Sequence, residues 1–115
     1  MSYDLNFWRY KPGRALKHEQ VYEELCDGKT VEGLEEIPID QFVARVIQEF
    51  ADWERLDETT FDGGDRGSFQ LTTAPQSFRV DCYGMDGEDM NRFIEIANEF
   101  ECPLYDPQVG QRFDG

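Results

Sequence analysis

The sequence predicts an α+β protein on the ferredoxin-like βαββαβ plan, with a four-stranded antiparallel sheet, helices on one face and one extra short helix. Three observations support this fold. In an opening run and in a later pair of runs, apolar side chains alternate with other side chains. Two longer stretches repeat apolar residues at helical spacing. A short apolar run follows the second of these stretches. The length of 115 residues and the 39% hydrophobic content predict a single domain over 1–115.

The first half of the chain predicts one strand and two helices. Residues 3–10 alternate, which indicates a strand that places Trp8 and Tyr10 on the face away from the helices. Residues 17–26 predict a short helix that Gly28 ends. The run 39–55 has the clearest helical period in the chain, and it predicts a helix that faces the core.

The middle of the chain predicts a loop and a hairpin. Residues 57–67, DETTFDGGDRG, are acidic and rich in glycine, as is typical of an exposed loop. Residues 68–73 and 77–84 read as two strands joined by a tight turn that contains Pro75. In the second strand, Phe78, Val80 and Cys82 alternate with polar residues, so we expect one buried face and one partly wet face.

The last part of the chain predicts a helix and a short strand. Apolar residues at helical spacing indicate a helix over 87–101, and 104–106 follow Pro103 as a final strand. A closing turn is expected to return Phe113 toward the body. The sheet face opposite the helices is expected to be open.

An acidic cluster precedes this last helix, in the stretch DCYGMDGEDM. Asp86 sits where a strand leads into the helix, and Glu88 and Asp89 fall in its first turn. Carboxylates there accept from free backbone N–H groups and complement the helix dipole, so we predict a helix cap. The spacing of a calcium loop is missing. A metal site or an enzyme that joins Asp86 and Glu88 to the 57–65 loop is the weaker alternative.

Other catalytic signals are absent from the sequence. His18 is the only histidine and begins a polar helix, which favours a solvated side chain. Cys82 and Cys102 are predicted to be small core residues. No glycine-rich nucleotide-binding motif occurs. We therefore predict no enzyme activity, no catalytic residue, no cofactor and no metal.

The net charge of the chain limits the classes of partner that we expect it to bind. Lys and Arg total 11 against 25 Asp and Glu, a net charge of −14, which disfavours nucleic acid and anionic membranes and favours a basic protein. The competing explanation is that the acidic residues serve only to keep the protein soluble. Three cysteines without a CxxC spacing, and first residues unlike a signal peptide, predict a reducing cytoplasm.

The predicted binding surface combines exposed aromatic residues with acidic loops. Aromatic side chains on an open sheet face are common anchors of protein interfaces, and acidic loops steer basic partners. A sheet face covered by the short helix, by the C-terminal tail or by a second copy is the alternative. The predicted partner-binding residues are Trp8, Tyr10, Trp53, Asp62, Asp65 and Tyr83.

Three segments carry a resemblance to known proteins: MSYDLNFW, PQSFRVDCYGMDGEDMN and CPLYDPQVGQRFD. They look like a group of small acidic bacterial proteins that is similar to the immunity proteins of polymorphic toxin systems. The resemblance implies a cytoplasmic, non-enzymatic protein that neutralises a basic toxin domain. A self-associating structural or regulatory protein, such as a homodimer formed through the sheet, is the alternative function.

Overall fold

The computed structural model describes residues 2–14, 16–108 and 110–113, which form three α-helices and seven strands. The helices are α1 (His18–Cys26), α2 (Ile39–Glu49) and α3 (Gly87–Glu99). The strands are β1 (Ser2–Phe7), β2 (Glu54–Arg55), β3 (Thr60–Asp62), β4 (Ser68–Ala74), β5 (Ser77–Tyr83), β6 (Leu104–Asp106) and β7 (Gln111–Phe113). No helix among these residues is both long enough and apolar enough to cross a bilayer.

One antiparallel sheet contains all the described strands, in the order β2-β3-β4-β5-β1-β6-β7. The α+β class and the antiparallel sheet are confirmed. The predicted number of four strands is wrong, because β2 and β3 extend one edge and β7 extends the other. The four predicted strands form the contiguous centre, β4-β5-β1-β6.

The main core lies between one face of this sheet and the helices α2 and α3. The register pairs Leu5 with Val80 and Phe7 with Phe78, so that alternate side chains of β1 and β5 point to the same face. Phe42 of α2 stacks on Phe78 with ring centroids 3.5 Å apart. Cys82 and Cys102 are buried in this core, as predicted. Burial raises the pKa of Cys82 to about 12, so its thiol stays protonated at neutral pH.

The second face of the sheet is partly covered, and the expectation of an open face is wrong. Helix α1 and the segment after it pack Val21, Val31 and Leu34 against Trp8 and Tyr105. The side-chain amide of Gln76, in the β4–β5 turn, binds the backbone of residue 31 through two hydrogen bonds of 2.9 Å. This face therefore has its own small core instead of an exposed aromatic platform.

Helix α2 ends six residues earlier than predicted, at Glu49. The apolar residues Phe50 and Trp53 continue the helical period, but both turn into the core and meet edge to face with ring centroids 5.3 Å apart. The chain then reverses through β2 and β3, so the predicted 57–67 loop contains a strand. Phe61, at the centre of that strand, is buried against Phe69.

The end of β1 also differs from the prediction. Strand β1 ends at Phe7 rather than at residue 10, because the segment after it leaves the sheet and pairs with the loop before α2. Tyr10 bridges Leu34, and the N–H of Lys11 donates to the carbonyl of Gly33. At the other end the tail does return, as β7 pairs with β6, whereas the side chain of Phe113 lies outside the described residues.

The helix cap predicted at Asp86 is confirmed. Its side chain accepts from the backbone N–H of Asp89 at 2.9 Å, and Asp86 has the extended backbone of an N-cap residue. Glu88 and Asp89 occupy the first turn of α3.

Replacing Asp86 by alanine removes this acceptor and is expected to destabilise the protein by about 1 kcal/mol, a fall in Tm of about 4 °C. Thermal denaturation followed by circular dichroism measures the change. Asp86→Asn keeps a capping oxygen and is expected to stay within a degree or two of the parent protein. Equal losses in both variants would show that the charge, and not the cap, is what matters.

Candidate protein interface

Trp8 and Tyr10 do lie on the second sheet face, but neither forms part of an exposed patch. Trp8 is buried against Tyr105, with ring centroids 5.1 Å apart. Tyr10 is half-buried, and its hydroxyl lies 2.7 Å from Nδ1 of His18. His18 is half-buried, and its ring is held by Tyr10. The expected exposure of Trp8 is wrong because α1 packs over it.

Trp53 is also buried, contrary to the expectation that it is an exposed anchor. Its ring packs against Phe50 and Phe69 on one side. The ring also lies near the guanidinium of Arg66, 5.0 Å from the ring centroid, and near the backbone of Gly63. The aromatic ring thus closes the end of the main core.

Three predicted site residues remain near the surface, all close to the turn that follows β3. Asp62 is half-buried and accepts from the N–H of Gly64 at 2.9 Å, and Asp65 is exposed. Tyr83 is 45% exposed at the end of β5, which runs beside Gly67. The structure therefore brings Asp62, Asp65 and Tyr83 to one end of the sheet, above the buried Trp53.

A wide surface groove lies at the opposite end of β3, away from these three residues, between the start of α2 and the turn that joins β2 to β3. Its volume is about 630 Å³. We call it the acidic groove. Apolar side chains form its floor and carboxylates stand along its rim. The floor contains Ile39, Val43 and Leu71, and the rim contains Asp40, Asp57 and Glu58, with Arg55, Thr59 and Thr73 completing the lining.

The β2–β3 turn is held in place by Asp57. One oxygen of this carboxylate accepts from the backbone N–H groups of Thr59 and Thr60, at 2.9 and 2.8 Å. These bonds, that of Thr59 first, lower the pKa of Asp57, which keeps the group charged at neutral pH. Leu56, next to it, is 55% exposed. The turn therefore presents an apolar side chain beside fixed negative charge.

The rim carboxylates differ from the other acids around α2 and α3 in their pairing. Arg45, Arg66 and Arg92 form six ion pairs of 2.9–3.2 Å with carboxylates of α2, of α3 and of the turn between α2 and β2. Within the described part of the chain, Asp40, Asp57 and Glu58 form no ion pair. Among the lining residues, these three carboxylates stand beside one cation, Arg55, which donates to the backbone carbonyl of Glu58 at 3.1 Å, so the acidic groove keeps a net negative charge.

Sequence reasoning missed most of the groove. Ile39 and Val43 belong to the apolar stripe of α2 and looked like core residues, although both are only half-buried. Leu56, beside the groove, falls between the predicted helix over 39–55 and the predicted loop over 57–67, where nothing distinguished it. The groove forms only because the chain reverses at β2, and no local pattern indicates that reversal.

Two acids of the cluster before α3 are engaged in other contacts, because Asp86 caps the helix and Asp89 binds two arginines. Asp89 is buried and accepts from Arg66 and Arg92, both at 3.0 Å. Although burial alone would raise its pKa, these hydrogen bonds lower it below the ordinary value. No group of three His, Cys, Asp or Glu side chains within the described ranges is placed to hold a metal ion.

Comparison with known proteins finds no relative of this chain. No protein family model, no curated protein and no solved structure matches this chain.

Proposed function

We propose that this chain is an acidic, non-enzymatic protein-binding module that holds a basic protein at the acidic groove. The observation that carries the proposal is the combination of an apolar floor with rim carboxylates that form no ion pair within the described residues. An immunity protein that neutralises a basic toxin domain in the bacterial cytoplasm is the biological role we propose for such a module.

The chemistry of the groove suits a lysine or arginine side chain. The aliphatic stem of either residue can pack on Ile39 and Val43, while its charged head meets Asp40 or Glu58. Leu56 adds an exposed apolar contact at the edge. Because the whole chain carries a net charge of −14, the approach of a basic partner is accelerated and depends on salt.

The proposal also extends to the fold. Strands β1 and β4 are both antiparallel to β5, which lies between them, and β5 and β6 are both antiparallel to β1. The chain passes through helices between β1 and β4, and again between β5 and β6, which is the split βαβ arrangement. We propose that the centre of the sheet is a ferredoxin-like core to which three short strands are added.

The test compares two variants that change the charge equally. Asp40→Lys with Glu58→Lys reverses the groove, whereas Glu23→Lys with Glu95→Lys reverses two exposed acids on α1 and α3. Tagged parent and variant proteins are used to capture partners from a lysate of the source organism at near-physiological salt. A basic protein bound through the groove is expected to be retained by the parent and the control. Its purified form should bind the groove variant at least about tenfold more weakly by calorimetry.

Other outcomes contradict the proposal. Equal loss of binding in both variants would show that only the net charge matters, and equal retention would place the interface elsewhere. Recovery of only the chain itself would support the self-associating alternative, and light scattering of the purified protein would then give its oligomeric state.

A further inference from the structure

A second and smaller cavity lies between α1 and the second face of the sheet. Its volume is about 120 Å³, and it is more enclosed than the acidic groove. A buried apolar cavity of about 150 Å³ accepts a benzene molecule, so this space suits a molecule of about six heavy atoms. Its wall includes Trp8, Tyr22, Leu25, Ser77, Arg79 and, from the centre of β1, Asn6.

Asn6 is an unusual residue in this wall. It is 94% buried, being 6% exposed, and it faces Arg79 of β5 and Tyr105 of β6 across the sheet. Its side-chain nitrogen, Nδ2, has no hydrogen-bond partner among the described residues. A buried amide donor without a partner destabilises the folded state, so a protein rarely retains one without compensation.

The surroundings of Asn6 favour an uncharged ligand. Arg79 is already paired, because its Nε donates to Asp81 at 3.0 Å, and Asp4 lies opposite Asp81 on the same face. An anionic ligand would be repelled by these carboxylates. Burial first, then a hydrogen bond with Cys26, raises the pKa of Tyr22 to about 12, so its hydroxyl stays neutral. Leu25 and Trp8 supply apolar contact.

We infer that this cavity is a binding site for a small, uncharged organic molecule with a carbonyl or hydroxyl oxygen that accepts from Asn6 Nδ2. The ligand's apolar body fills the space between Leu25 and the sheet. The site is independent of the acidic groove, since the two share only Thr73 in their linings.

The test uses two probes of similar size, cyclohexanone and methylcyclohexane, of which only the first carries an acceptor. Both are titrated into isotope-labelled full-length protein, and the side-chain amide signals of Asn6 are followed by NMR. Cyclohexanone is expected to shift those signals and to bind about tenfold more tightly than methylcyclohexane, the worth of one buried hydrogen bond.

Two variants test the assignment independently. Asn6→Leu keeps the size of the side chain but removes the donor, so the preference for cyclohexanone is expected to disappear. Ser77→Leu fills the cavity from the sheet side and should abolish binding of both probes. The inference is overturned if neither probe moves the Asn6 signals of the parent, which would mean that water alone occupies the space. It is also overturned if the ketone preference survives in Asn6→Leu, or if binding survives in Ser77→Leu.

Discussion

Gly67→Ala is expected to destabilise the protein by about 4 kcal/mol, as backbone strain adds to a steric clash. Gly67 has φ +97° and ψ −161°, a conformation that side chains other than glycine's rarely adopt. A Cβ atom at this position would lie 2.4 Å from the carbonyl oxygen of Tyr83 and 2.7 Å from the carbonyl carbon of Gly84. Both contacts are with backbone, so β4 or the end of β5 has to move.

Urea denaturation and thermal melts measure this loss, which corresponds to a fall in Tm of about 15 °C. The matched control is Gly64→Ala in the same turn. Gly64 also has a positive φ, +66°, but nothing lies within 4 Å of its added Cβ. Its expected cost is about 1 kcal/mol. If the two variants lose equal stability, the close approach to Tyr83 has no energetic role.

Asp89→Asn is expected to cost about 2 kcal/mol at neutral pH, because the hydrogen bonds from Arg66 and Arg92 lose their charged acceptor. The pKa of Asp89 is lower in the folded protein than the ordinary value of about 3.9. The stabilising contribution is therefore complete above about pH 4, and it is lost as the pH falls through the folded-state pKa.

Denaturation midpoints of the parent and the Asp89→Asn variant, measured from neutral pH down to about pH 3, should converge toward the acid end. Glu88→Gln is the control. It removes the same charge from the same turn of α3, but Glu88 is exposed and makes none of these hydrogen bonds, so about 0.5 kcal/mol is expected. A gap between parent and Asp89→Asn that stays constant with pH would contradict a charged role for Asp89.

Local sequence patterns predicted the parts of the fold that are long and periodic. The stripe of α2, the β4–β5 hairpin and the cap of α3 at Asp86 each depend on residues a few positions apart. Strand β3 was missed because it has only three residues and Phe61 is its only buried one. Acidic and glycine residues surround it, so composition pointed to a loop.

Exposure was harder to predict than the face on which a residue lies. Alternation correctly placed Trp8 opposite the helical face, but it gave no information about what covers that face. Trp53 continued a helical period, whereas the structure turns it into the core. The acidic groove joins residues from 39 to 73, and its assembly depends on tertiary packing that a single sequence does not display.

Because of where the arginines lie, we expect dissolved salt to have opposite effects on the stability of the free protein and on the strength of the proposed complex. The ion pairs of Arg45, Arg66 and Arg92 engage four carboxylates around α2 and α3, whereas the rim carboxylates of the acidic groove form no ion pair within the described residues. In the free protein this uncompensated charge repels itself, and dissolved ions reduce that repulsion and stabilise the fold. In the complex that we propose, the partner's cations would take over the same task, and dissolved ions would compete with them. A rise in ionic strength that protects the unbound chain would therefore weaken the proposed complex.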